Sequence, residues 1–200
     1  MTEIRKLTLP EGRKAVSAAR SAIDAAFGKK LPKETEKLPL IFYENRGVFV
    51  TLTLGGELRG CIGFPYPVMT LENAIAEAAC AAAFDDPRFL PISRSDAEKI
   101  SLEVTILTEP ELLTGGFTEY EKNIVIGKHG LIVEYDENRG LLLPQVASEN
   151  GFDAVEFLCQ TAMKAGMPPM SWKYGAKVYT FEGQIFSETA PKGDVVEKTL

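Results

Sequence analysis

Histidine is nearly missing from this chain: one residue in 200, His129, carries an imidazole. That scarcity removes whole classes of chemistry. HExxH metalloproteases, multi-histidine zinc sites and two-histidine-one-carboxylate iron centres all need at least a second ring. Any Ser-His-Asp or Cys-His arrangement has only His129 to use. Cysteine is sparse too. Cys61, Cys80 and Cys159 are far apart and odd in number, so the chain holds neither a CxxC pair nor a disulfide ladder. This usage fits a reduced, cytoplasmic protein. Ligation by cysteine and carboxylate alone finds no supporting spacing, so no metal site is indicated, and the cofactor is left unknown.

There is no excess of base either. Lys and Arg number 22 against 28 Asp and Glu, for a net charge of -6. Sequence-independent nucleic-acid binding relies on a basic surface that neutralises phosphates, and this balance argues against it. No apolar run approaches the roughly 18 residues of a membrane span, and Met1 to Arg20 lacks the apolar centre of a signal peptide. Nucleotide loops are lacking as well. Gly55 to Cys61 imitates the GxxxxG part of a Walker loop, but Cys61 stands where the lysine is required, and no GxGxxG follows a strand. The 45% hydrophobic content is that of an ordinary globular chain with a substantial core.

The pattern along the chain is mixed. Thr8-Leu9-Pro10-Glu11 reads as a capping box with proline in the first helical turn, followed by Val16, Ala19, Ile23, Ala26 and Phe27 at helical spacing. Lys29 to Pro39 reads as an exposed connection. Val48, Val50, Leu52 and Leu54 alternate with Phe49, Thr51 and Thr53, and Gly55-Gly56 then reads as the turn of a hairpin. Thr70 to Phe84 is an alanine-rich helix with Cys80 inside it, stopped by Asp85-Asp86-Pro87-Arg88, which reads as a solvated turn, with acid-base or cation work by the carboxylate pair as the alternative. Leu102, Val104 and Ile106 mark a strand carrying Glu103. Ile124–Ile126, Leu131–Tyr135 and Leu141–Leu143 read as strands, with His129 at a loop tip between Gly127 and Gly130. Phe152, Val155, Leu158, Cys159 and Ala162 mark a helix, Lys177 to about Phe186 a last strand, and the tail after Glu188 a flexible end. Hairpin-joined strands with interspersed helices predict an α+β fold, a mainly antiparallel sheet flanked by helices.

The chemistry concentrates in Leu58-Arg59-Gly60-Cys61-Ile62-Gly63. On a strand, Arg59 and Cys61 share a face with Cα atoms about 7 Å apart. A guanidinium at that range favours the thiolate, the form in which cysteine is a nucleophile. Gly60 and Gly63 let a ligand or another backbone segment approach closely. Cys61 also reads as a small core hydrophobe, and both readings stand at this point. If the strand floors a cleft, Cys61 is the nucleophile or soft contact and Arg59 the anion clamp. Gly60, Ile62 and Gly63 then line the ligand, with Glu103 or His129 as proton carrier.

The same hexapeptide resembles the hallmark of the AMMECR family, and further matches run through nearly the whole chain. They include Gly47-Val48-Phe49-Val50-Thr51-Leu52, Ala83-Phe84-Asp85-Asp86-Pro87-Arg88-Phe89, Leu102-Glu103-Val104 and Gly127-Lys128-His129-Gly130-Leu131. Leu142-Leu143-Pro144-Gln145-Val146-Ala147, Lys164-Ala165-Gly166 and Trp172 continue the series. The resemblance implies a single domain over residues 1–200, a main sheet flanked by helices with a smaller lobe, assigned here to about residues 66–100. It implies no settled activity. Members often place a second cysteine just before the lysine of the KAG segment, where this chain has Ala162 or Met163, with Cys159 slightly upstream. The partner it implies is an unidentified small molecule or protein. The alternative to a cleft is a noncatalytic interaction module using the Pro65-Tyr66-Pro67 rim, a companion of Memo-type and radical S-adenosylmethionine proteins.

Overall fold

A computed structural model describes residues 5–29 and 37–198. In chain order the elements are helix α1 (Leu9–Ala26), a 3-10 turn (Leu40–Tyr43), strands β1 (Gly47–Leu54) and β2 (Glu57–Phe64), and helices α2 (Leu71–Phe84) and α3 (Arg94–Ala97). Strands β3 (Ile100–Leu107) and β4 (Glu111–Leu112), helix α4 (Phe117–Asn123), strands β5 (His129–Tyr135) and β6 (Asn138–Leu142), and helices α5 (Pro144–Asn150) and α6 (Ala154–Lys164) follow. A second 3-10 turn (Ser171–Lys173) leads to strands β7 (Lys177–Glu188) and β8 (Val195–Lys198). The described strand registers are antiparallel, so the chain adopts the expected α+β class. No helix among the described residues is long and apolar enough to cross a membrane. The chain divides into two compact units, Met1–Leu107 with Gln184–Thr199, and Thr108–Gly183.

In the first unit β1 is central, flanked by β2 and β3. Strand alternation sorts the side chains. Val48, Val50 and Leu52 of β1 and Ile100, Leu102, Val104 and Ile106 of β3 face one way and are buried with α1 and α2. Each such Leu or Ile, fully buried, contributes roughly 1.5–3 kcal/mol. The capping box is present, with Glu11 accepting from the Thr8 N–H at 2.8 Å, and Ala15, Val16, Ala19 and Ile23 form the buried stripe of α1. Gly55 and Gly56 both hold positive φ, +62° and +89°, as a tight hairpin turn between right-twisted strands demands. The expected connection at Lys29–Pro39 falls largely on residues 30–36, outside the described residues. Residues 66–100, read as a smaller lobe, instead supply α2 and α3 to this unit, because the alanine face of α2 packs into its core. The tail after Glu188 ends in β8, paired with the last residues of β7, rather than in a flexible end.

The second unit places β5 between β6 and the first part of β7, with α6 covering Leu131, Val133 and Val178 through Phe157, Leu158 and Ala162. Asp153 caps α6 by accepting from the Glu156 N–H at 2.8 Å. Ile124–Ile126 is not the expected strand: it follows α4 as the irregular segment that leads into the turn before β5. This reassigns His129 as well. It opens β5, half-buried and opposite Glu182, rather than standing at a loop tip.

Candidate functional site

The registers of β1, β2 and β3 place Cys61, Thr51 and Glu103 side by side, one from each strand, on the face opposite the core. Neighbouring rows on that face are Gly63, Phe49 and Thr105, and then Thr53 with Ser101. The sheet thus presents a thiol, hydroxyls and a carboxylate where its other side is wholly apolar. Thr51 Oγ lies 3.3 Å from Cys61 Sγ, and Glu103 receives the Lys198 ammonium at 2.7 Å. A groove of about 780 Å³ opens beside this row, lined among others by Thr51, Thr53, Ser101, Glu103 and Lys198 but not by Cys61 itself.

Cys61 is held from its outer edge as well. β2 is an edge strand, so Cys61 has a backbone N–H and C=O that no strand takes up. Asp86 and Arg88 take them. The N–H donates to Asp86 Oδ2 at 2.9 Å, and the C=O accepts from Arg88 Nη2 at 3.2 Å. Cys61 and Thr51 therefore form a non-hydrogen-bonded pair, the kind that brings facing side chains closest. The Asp86 carboxylate is saturated: Oδ1 accepts from the Arg88 N–H and Nε at 3.1 and 3.0 Å, and Oδ2 from Arg88 Nη2 at 2.7 Å besides Cys61. The Arg88 guanidinium and the two backbone N–H groups hold the Asp86 carboxyl well below the usual carboxylate range. Asp86 is only 4% exposed, so the expected solvated turn is a buried strap.

Arg59 departs from the simple strand geometry. The β1–β2 register runs Thr53 to Leu58 and then Leu52 to Gly60, leaving Arg59 as the extra residue of a bulge. Its guanidinium reaches away along the strap, where Nη2 donates to the Pro91 carbonyl at 3.4 Å and the group lies 5.9 Å from the centre of the Phe89 ring. Nη1 is buried without a hydrogen-bond partner. The cation hydrogen-bonded to Cys61 is Arg88, whose charge the adjoining Asp86 offsets.

The glycines of the motif serve close approach by the protein itself. A Cβ on Gly60 would lie 2.0 Å from the Ala82 carbonyl oxygen of α2, and one on Gly63 would lie 2.5 Å from the Phe49 ring. Ile62 points to the core side and packs against it. His129 belongs to the second unit, where its Nδ1 accepts from the Val125 N–H at 3.2 Å. Burial pushes the imidazole down from its ordinary value, and Lys128 adds to this, so the ring is neutral at pH 7. A reading along the chain misses Thr51 and Arg88, and it weighs Asp86 only as one of a carboxylate pair rather than as a clamp on Cys61. Proline locking the turn between an acid and a base was the available signal.

Comparison with known proteins gives one consistent picture. The model of the AMMECR1 family matches residues 16–186. A protein of Methanosarcina acetivorans is 52% identical over 196 residues, covering 96% of this chain and 98% of its own. A protein of Methanocaldococcus jannaschii is 48% identical over 202 residues, covering 98% and 100%. The crystal structure of the uncharacterized protein PH0010 from Pyrococcus horikoshii superposes with a TM-score of 0.88 at 42% identity, over 98% of this chain and all of that one.

Proposed function

The chain belongs to the AMMECR1 family, and from that premise we propose that it binds, and chemically acts on, a small molecule on the outer face of β1, β2 and β3. The observation that carries this reading is the row Cys61–Thr51–Glu103 beside an open groove. The half-buried thiol is fixed at once by its N–H, its C=O and its side chain. Such fixing is what a reacting group requires, because misplacement by an ångström costs rate steeply.

Cys61 is the nucleophile or soft contact, oriented by the Asp86–Arg88 strap. Thr51 supports the sulfur through its hydroxyl. Glu103, two strands away, is the proton carrier, and it is paired with the Lys198 ammonium. Arg59, whose guanidinium lies along the strap, is the anion contact at the rim. Ligand contact by Gly60, Ile62 and Gly63 is confined to their backbone, since their side-chain positions are taken up by α2, the core and Phe49.

The test is a titration of isotope-labelled protein with small polar and electrophilic fragments, followed by amide chemical shifts. Shifts concentrated at Thr51, Thr53, Cys61, Ser101 and Glu103, and covalent adducts that vanish in Cys61→Ser, support the proposal. Fragments that bind elsewhere and leave this row unmoved overturn it.

A further inference from the structure

Away from the Cys61 face, the second unit carries a group of sulfur atoms that none of the chemistry above uses. Cys159 on α6 directs its thiol at the thioether of Met170, with Sγ and Sδ 3.6 Å apart. Met163 lies one helical turn beyond Cys159, and residues four apart share a helix face. Both methionines are open to solvent, at 51% and 38% exposure, and the thiol is half-buried. Cys159 packs against the core of this unit, but packing does not explain the two exposed methionines: Met167 is the methionine that enters that core, at 8%. The positions are nonetheless well fixed. Cys159 and Met163 ride a helix with a capping box at its start, and Met170 immediately precedes the 3-10 turn anchored by the buried Trp172.

We infer that Cys159, Met163 and Met170 form a surface site for a soft monovalent cation, specifically Cu(I). Thiolate and thioether are the ligands that select Cu(I) over hard ions. Two sulfurs each about 2.3 Å from one ion, at trigonal or tetrahedral angles, lie about 3.8–4.0 Å apart, so the Cys159–Met170 pair at 3.6 Å has to open by only a few tenths of an ångström to admit one. Binding exchanges one S–H bond for one S–Cu bond and passes the thiol proton to water, with no change of oxidation state.

The experiment is a Cu(I) titration of the full chain without oxygen, under excess reductant, in competition with a chromophoric Cu(I) chelator. The wild type and Cys61→Ser are expected to withdraw one equivalent. Cys159→Ser is expected to withdraw none, and Met163→Leu and Met170→Leu to bind at least about tenfold more weakly, or 1.4 kcal/mol. The leucine variants conserve volume, and overlapping urea transitions confirm that they fold. The inference is overturned if Cys159→Ser keeps the equivalent, if both leucine variants bind as tightly as wild type, or if the wild type withdraws nothing.

Discussion

Replacing Asp86 with alanine removes the acceptor that completes the hydrogen bonding of the Cys61 edge, and the cost can be worked out from what is left behind. The Cys61 N–H, which points outward from an edge strand, loses its only described partner. An unsatisfied backbone donor at a buried site costs about 1–3 kcal/mol. The Asp86–Arg88 ion pair adds less, because the Arg88 side chain is 53% exposed and water competes for it; about 1 kcal/mol is its ceiling. Asp86→Ala should therefore destabilise by about 1–4 kcal/mol, or roughly 2–16 °C in Tm for a chain of this size. Asp86→Asn keeps one acceptor oxygen and should fall between the two. The sign with pH follows from the depressed carboxyl. The stabilisation is fully present above the ordinary aspartate range near about 4 and is lost as pH falls towards the lower folded value. The difference between wild type and Asp86→Ala should then narrow in acid. Urea melts measure the stability, and amide hydrogen exchange at Cys61 reads the site directly. A stability within 0.5 kcal/mol of wild type (about the size of an ordinary surface change), with unchanged Cys61 protection, would refute the strap.

Other consequences follow from the same geometry. Gly60→Ala pushes a methyl group into the Ala82 carbonyl of α2; a loss of at least about 2 kcal/mol in urea melts is expected, as for an overpacked core. Thr51→Val removes the hydroxyl beside Cys61 Sγ while keeping its shape, and should slow alkylation of Cys61 several-fold with the stability little altered. His129, held neutral by burial, takes up its proton more readily when unfolded. Stability should therefore fall as pH drops below about 6.5, and His129→Gln should flatten that part of the stability-against-pH curve.

Much of the fold was legible along the chain because it is written in local periods. The β1–β2 hairpin follows from alternating Val, Leu and Thr closed by Gly55-Gly56. Helices α1, α2 and α6 follow from their apolar stripes and stop signals. Features set by pairing were not legible. The bulge at Arg59 interrupts the two-residue period without any local mark, so its guanidinium leaves the position that simple alternation assigns it. Asp86 reaches Cys61 across 25 residues, and only the folded edge of β2 explains why an acid should be buried there. β8 was missed because its four residues, two of them charged, carry too little apolar pattern to stand out from a tail. The Cys61–Thr51–Glu103 row needed the register, since alternation says which face a side chain takes but not what stands beside it.

The central claim, that Cys61 is a positioned and reachable thiol on a ligand face, is tested most directly by the native-state alkylation rates of the three cysteines, read by peptide mass spectrometry. The account predicts that a small reagent such as iodoacetamide modifies Cys61 faster than Cys80, whose thiol burial pushes up. It also predicts that Asp86→Ala lowers the Cys61 rate by loosening the strap. A Cys61 that reacts only when the protein unfolds would contradict it and make the motif a purely structural one.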